Sequence, residues 1–469
     1  MLRWVAAIVV LAGISAGALF FAAGRSTPPL LTIDHPDRPV GQKGTLEVSA
    51  TAPGARFTSL DVTVEQNGKT TALFSLESAD SSATVRSDGD RMIVTRPFGK
   101  QSVPELQAGA ARIVVSAVRP SFLGLRALAA STTKDVAIKL DPPSLAVLST
   151  HHYINHGGAE LVVYRASPAD VESGVRVGTV EYRGYPASGA GVAGADPSMR
   201  VAFFALEHDQ DLSTPIAVFA RDAAGNEATT SVIDSVFPKP FRRSRIQIDQ
   251  RFLGRVVPEI LARSPELTVP AGNDLLASFL VINGDLRRRN ADTISTVMAD
   301  TASTRLWSGP FVQLGNSKVE AGFADHRTYV HDGKDVDQQV HLGFDLAVTA
   351  AIPVVAANAG KVLHASWLGI YGNCVIVDHG MGIGSLYGHL SATDVKPGDT
   401  VTRGQVLGRS GMTGLAGGDH LHFTMLVQGH AVNPVEWWDG HWIADRVERK
   451  LTAARGERGD AGSATPAQR

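Results

Sequence analysis

Short runs in which apolar and polar residues alternate, each closed by a turn residue, fill most of this 469-residue chain and point to antiparallel β-structure. From about Leu31 to Pro142 they include GTLEVSA, DVTVEQ, KTTALFSL, SSATVRS, RMIVTRPF and ARIVVSAVR. The Asn67-Gly68 pair between DVTVEQ and KTTALF is the signature of a two-residue hairpin, because both positions must take positive φ. A second set, from about Pro143 to Pro240, includes AELVVYRA, VRVGTVEY, MRVAFFALE and PIAVFAR, with a turn at Asp222–Asn226. Alternation at this spacing predicts two β-sandwich modules, residues 31–142 and 143–240.

In general pattern, both modules resemble immunoglobulin-like domains. His151, His152 and His156 sit in the second module without a carboxylate at regular spacing and read as loop histidines. Lys+Arg 44 against Asp+Glu 46 leaves a formal charge of -2, so no global basic field exists for nucleic acid. A single cysteine, Cys374, rules out an intrachain disulfide framework and a four-cysteine metal knuckle. In its alternating strand it reads as a buried inert thiol.

Ahead of the modules, Trp4–Ala23 carries no charge and is long enough to cross a hydrocarbon core of about 30 Å. Arg25 closes the run. With Arg3 and the α-amino group before it, the segment is expected to hold the start in the cytoplasm and send the rest outward. Residues 1–25 are therefore expected to form a transmembrane signal anchor, with a cleaved signal peptide as the competing reading. This puts the protein in the cell envelope, single-pass in the inner (cytoplasmic) membrane, with its bulk in the periplasm. Residues 241–308 change texture and predict a partly helical linker, with Pro258 at a helix start or break. That linker is expected to abut the C-terminal domain and flank its cleft, and its Arg287–Arg289 run reads as a solvated face. The small, polar residues 453–469 predict a disordered tail.

Histidine is unevenly spread: ten of the 15 fall between His326 and His441, among short glycine-bounded strands. If HLGFD forms one strand, period two puts His341, Gly343 and Asp345 on one face, with the glycine leaving room for a bulky object. The same parity puts His420 and His422 of DHLHF together. One His and one Asp from the first segment plus one His from the second make three protein ligands. A tetrahedral Zn²⁺ would then keep its fourth position for water. His389 and the remaining member of the 420/422 pair are left as candidate bases, and parity alone does not choose between His420 and His422.

These segments occur in a known order. HLGFDLA resembles the H-x-G-x-D-x-A segment of the lysostaphin-like, LytM-type zinc endopeptidases of peptidase family M23. Gly372–Gly380 resembles their G-N-x-V-x-I-x-H-G, Tyr387–Leu390 their Y-G-H-L, and His420–Phe423 their H-L-H-F. Gly322–Arg327 resembles the opening G-F-x-x-R with one extra residue.

The resemblance implies a small, mostly antiparallel LytM-type β domain over about residues 315–440, with a groove over the metal. It implies zinc on His341, Asp345 and His422, with His389 and His420 catalytic. It further implies hydrolysis of crosslinking or bridge peptides of peptidoglycan. The expected partners are those peptides, the membrane through the N-terminal helix, and an envelope protein. Some members of the family have lost ligands and only activate other hydrolases, whereas this sequence keeps all five positions. The alternative is a silent or autoinhibited protein that binds wall or regulates another hydrolase. A fourth ligand from His326, His331, Asp332 or Asp337 would produce such a state by displacing the water.

Overall fold

The computed structural model describes residues 2–23, 27–52, 56–78, 82–121, 126–270, 272, 274–347 and 349–461. The chain is mostly β, with one apolar helix near the N-terminus, Leu2–Ala23. The Trp4–Phe21 stretch of that helix has a mean hydropathy of 2.3 and is long and apolar enough to cross a membrane. Arg25 lies outside the described residues.

The fold has two compact units. The first comprises Met1–Pro143 with Arg221–Ala228, and the second comprises Ser144–Ala220 with Thr229–Arg469. In the first unit, two four-stranded antiparallel sheets share one core that includes Val48, Val94, Val62, Ile113 and Val115. Strand alternation explains this arrangement. Ser59–Gln66 buries Leu60, Val62 and Val64 and leaves the residues between them more exposed. Asn67 and Gly68 take φ of 52° and 74° and join this strand to Lys69–Ser75.

The second unit carries the candidate chemistry. Its upstream part has a sheet containing Met199–Ala205 and Ala159–Ser167, and another containing Glu172–Val177 and Ile216–Arg221. These strands do not close a core of their own at residue 240, where the module was expected to end. One hydrophobic core runs from Val163 and Phe203 through Trp307 to Phe423 and Trp437. The ring of Phe203 lies 5.9 Å from that of Trp437. Polar contacts cross the same junction. Glu436 accepts from Asn155 Nδ2 at 2.7 Å and Ala159 N at 2.8 Å, and Lys450 Nζ meets Glu160 Oε1 at 2.7 Å with both side chains buried. Helix Arg449–Ala461 runs into the segment from 453 that was expected to be disordered. Its alanine, arginine and glutamate are good helix formers. Residues 462–469 lie outside the described residues.

Between these parts run the expected helices, Gln250–Ala262, Leu275–Val281 and Arg287–Met298. The last two are joined by a π turn at Ile282–Leu286. Pro258 neither starts nor breaks the first helix but lies inside it. Asp249 caps the N-terminus through Phe252 N at 2.7 Å, and burial of Leu253, Val256, Val257 and Ile260 outweighs the hydrogen bond the proline cannot make.

An eight-stranded antiparallel sheet forms the C-terminal domain. Its order is Lys318–Ala321, Phe344–Ala347, His420–Val427, Ile383–Leu390, Asn373–Gly380, Gly360–Trp367 and Thr400–Val401, with His430–Val432 paired to His420–Val427. Beside it, Arg243–Gln247 runs parallel to Asp325–His331, which pairs antiparallel with Lys334–His341.

Candidate metal centre

His341 ends the strand Lys334–His341 of the small sheet, whereas Asp345 lies in Phe344–Ala347 of the large one. The expected single strand through 341–345 is therefore interrupted at Leu342 and Gly343. The two side chains meet where the chain crosses between sheets, not along one pleat. Asp345 stands directly opposite His422 in the pairing with His420–Val427. On that strand parity holds: His420, His422 and Thr424 share the site face, while Leu421, Phe423 and Met425 enter the core.

Three donor atoms form a compact triangle. His341 Nε2 lies 2.9 Å from Asp345 Oδ1 and 3.0 Å from His422 Nδ1, and His422 Nδ1 is 3.1 Å from Asp345 Oδ1. Donors at the usual zinc distances on three corners of a tetrahedron stand about 3.3 Å apart, so the group has the size and chemistry for that ion.

The outer contacts select which nitrogen faces the triangle. His341 Nδ1 is 3.1 Å from Gly322 O, so it carries the proton and Nε2 keeps a free lone pair. His422 Nε2 donates to Thr424 Oγ1 at 3.0 Å, and Thr424 in turn donates to Leu342 O at 2.8 Å. That chain leaves His422 Nδ1 as the nitrogen facing the triangle. Arg327 Nη2 donates to Asp345 Oδ2 at 2.8 Å and fixes the carboxylate from behind. Burial alone would raise the Asp345 carboxyl, but His341 above all, with His420 and His422, holds it well below the ordinary range.

The bulky object that Gly343 accommodates is the His422 ring. A Cβ at 343 would stand 2.6 Å from His422 Cε1 and Nε2, and 2.7 Å from Thr424 Oγ1. Gly343→Ala should push the ring off the triangle, weaken zinc about 10–100-fold and destabilise the domain by about 1–3 kcal/mol. Zinc titration and thermal unfolding of the full chain read both effects; unchanged affinity with an unchanged melting temperature would contradict the packing argument.

His389 and His420 sit beside the triangle, with ring centroids 4.8 Å apart; the His389 ring is 5.7 Å from that of His422. Each anchors Nδ1 on a backbone carbonyl at 2.8 Å, His389 on Thr413 and His420 on Gly418. That leaves Nε2 of each as the nitrogen offered to the cleft. His420 Nε2 lies 3.4 Å from Asp345 Oδ1. Burial, reinforced by the two neighbouring imidazoles, lowers His389 well below the usual range. Burial also works against charge on His420, yet its bond to Asp345 raises it. Burial takes His422 down to about 4.

His389 reaches the cleft through a bulge. Tyr387, two residues earlier, faces the core and donates to none of these groups; its hydroxyl accepts from Ala357 N at 2.7 Å. Straight alternation would send His389 the same way. The pairing instead shifts between Asn373 and Val375, and His389 takes φ of 62°. A strained, bulged residue of this kind marks a position where side-chain direction matters more than regular pairing.

The cleft forms a cavity of about 90 Å³ lined by the five residues above together with Arg287, Arg327, Tyr329, Ile370, Tyr371 and Leu415. An open groove of about 560 Å³ continues from Asp345 and His420 past Arg242, Arg243 and Arg245. Arg287 was expected on a solvated helix face; of that run, Arg288 pairs with Asp285, Arg289 donates to Glu266 O, and Arg287 alone lines the cleft. The candidates for a fourth ligand lie elsewhere. His331 Nδ1 bonds Ile248 O at 2.8 Å, Asp337 accepts from Asn283, and the metal-sized group among the described residues contains only His341, Asp345 and His422. His152 and His156 have their own partners, Ser149 and Gln210. Cys374 is buried, and burial pushes its thiol up.

An antiparallel β domain thus brings a His-Asp-His cluster that could hold a metal ion beside two further histidines. Residues 339–434 match Peptidase family M23, so the chain carries an M23 peptidase domain in its C-terminal part. The chain is 39% identical over 97 residues to the DD-carboxypeptidase/endopeptidase Mpg of Neisseria meningitidis serogroup B, covering 21% of this chain and 22% of that protein. It is 38% identical over 96 residues to the peptidoglycan DD-endopeptidase ShyA of Vibrio cholerae, covering 20% and 22%. It is also 38% identical over 95 residues to the murein hydrolase activator EnvC of Escherichia coli, covering 20% and 23%. The matches span less than a quarter of each of these relatives.

Proposed function

We propose that this protein is a zinc-dependent endopeptidase that hydrolyses crosslinking or bridge peptides of peptidoglycan, anchored in the inner membrane by Leu2–Ala23 with its bulk in the periplasm. The observation that carries the reading is the triangle of His341 Nε2, Asp345 Oδ1 and His422 Nδ1, with sides of 2.9–3.1 Å. Zinc held there would supply Lewis acidity toward the scissile carbonyl and toward water. His389 and His420, fixed through Nδ1, present Nε2 to the cleft. One accepts the proton of the attacking water, and a protonated imidazole of the pair delivers a proton to the leaving nitrogen. The C–O bond to the attacking water forms first, and the C–N bond then breaks as its nitrogen takes up the proton. Tyr371 closes one wall, with its ring 5.3 Å from that of His422, and helps to exclude bulk water.

The names of Mpg and ShyA support endopeptidase chemistry on peptidoglycan, while that of EnvC supports a regulatory alternative. Retention of all five side chains in one cleft favours the first. The test is digestion of purified muropeptides by the full-length chain in detergent. Cleavage should occur with zinc, disappear with a chelator and return on zinc addition. No cleavage at any zinc level, with binding to intact wall retained, would favour the regulatory alternative.

A further inference from the structure

Arg287 is the one arginine of the cavity without a carboxylate partner. It belongs to a helix outside the segment 339–434 that matches the family, yet it lines the same cavity as His341, Asp345, His389, His420 and His422. The other cleft arginine, Arg327, is already matched to Asp345. Arg287 is half-buried, and no carboxylate pairs with it among the described residues. Its guanidinium is nonetheless held in place. Nε donates to Asn283 O at 3.1 Å and Nη2 to Asn283 Oδ1 at 2.6 Å. Asn283 is fully buried in the π turn and donates to Asp337 Oδ2 at 2.7 Å. These contacts leave Nη1 without a partner among the described residues. Arg287 lies close enough to Tyr371 for its charge to act on that phenol, and the Tyr371 ring faces His422. A positioned cation with a spare donor, beside a centre that hydrolyses amides, is complementary to an anion on the substrate close to the scissile bond.

Resting on the hydrolase reading, we infer that Arg287 is a specificity determinant that receives a free carboxylate on the residue next to the scissile amide. Two sources offer this chemistry in peptidoglycan peptides. One is the α-carboxylate of an uncrosslinked chain end, and the other is the carboxylate of a diamino dicarboxylic acid whose amine forms the crosslink. In both, the carboxylate sits on the carbon bonded to the leaving nitrogen, a short reach from the metal site.

The test uses the zinc-loaded full-length chain and two pairs of peptides. One pair ends in D-Ala–D-Ala as the free acid or the carboxamide. The other is a crosslinked dimer with the diamino acid carboxylate free or amidated. For whichever source the enzyme uses, the free acid should be cleaved with kcat/KM roughly 10–100-fold above the amide, the ratio expected for a charge-assisted contact. Arg287→Gln should lower kcat/KM for the acid by that factor, leave the amide unchanged and bring the ratio near one, with Arg287→Lys recovering part of it. A structural role would lower acid and amide together, and this outcome, like equal wild-type rates on acid and amide in both pairs, overturns the proposal while the hydrolase reading stands. Should the wild-type chain cleave none of the four, the muropeptide digestion above decides the hydrolase reading and equilibrium binding of the same peptides decides the subsite. Binding of an acid at least tenfold tighter than its amide, lost in Arg287→Gln, supports it; equal binding overturns it.

Discussion

His341→Ala should remove zinc and activity together. His341 Nε2 is one corner of the triangle, at 2.9 Å from Asp345 Oδ1, and its Nδ1–H is committed to Gly322 O. No other described His, Cys, Asp or Glu joins that group. Spread over its ligands, the binding energy of a protein zinc site corresponds to roughly 10²–10³-fold in affinity per ligand. Zinc content by elemental analysis, measured beside muropeptide turnover, should fall far below one ion per chain at wild-type working concentrations. The fold should survive, because Arg327 still pairs with Asp345 at 2.8 Å and Leu342 O still accepts from Thr424. A variant that keeps one zinc and full turnover would remove His341 from the ligand set and the proposed chemistry with it.

The second large effect separates chemistry from metal binding. His389→Ala should leave zinc bound and lower kcat by roughly 10²–10⁴-fold, the range expected when a positioned proton-transfer group is lost. Its ring centroid is 5.7 Å from that of His422, and its Nδ1–H is held by Thr413 O at 2.8 Å, so it stands next to the triangle without belonging to it. Equal zinc content in the variant and the wild type, with turnover nearly abolished, is the expected pair of readings. Wild-type kcat in His389→Ala would show that His420 or water moves the proton unaided.

Much of this site could be read in the residue string because the period of a strand is short and strict. DHLHF presents its two imidazoles together and buries Leu421 and Phe423, as parity requires. HLGFD was read with the right side chains converging but for an incomplete reason. The strand breaks at Leu342–Gly343, and the convergence comes from a passage between sheets that alternation does not encode. His389 is a sharper case, since parity would place it with Tyr387 in the core and only the bulge opposite Cys374 returns it to the cleft. The place of Arg287 in the cleft was illegible for another reason. Three consecutive arginines spread around a helix, and which one faces inward depends on how that helix seats against Gly369 and Ile370, a tertiary fact. Pro258 likewise looked like a helix boundary because local sequence does not register the buried face that sustains the helix through it.

The aromatic seam of Phe203, Trp307 and Trp437 has a further consequence. It ties the M23 domain into one hydrophobic core with the strands upstream, so damage will be inherited across it. A lesion at Phe203, in a strand that lines no part of the cleft, should loosen the histidine-bearing sheet from a distance. Screens for loss of function will therefore collect positions well upstream of the histidines, and their distance from the cleft will say little about how they act.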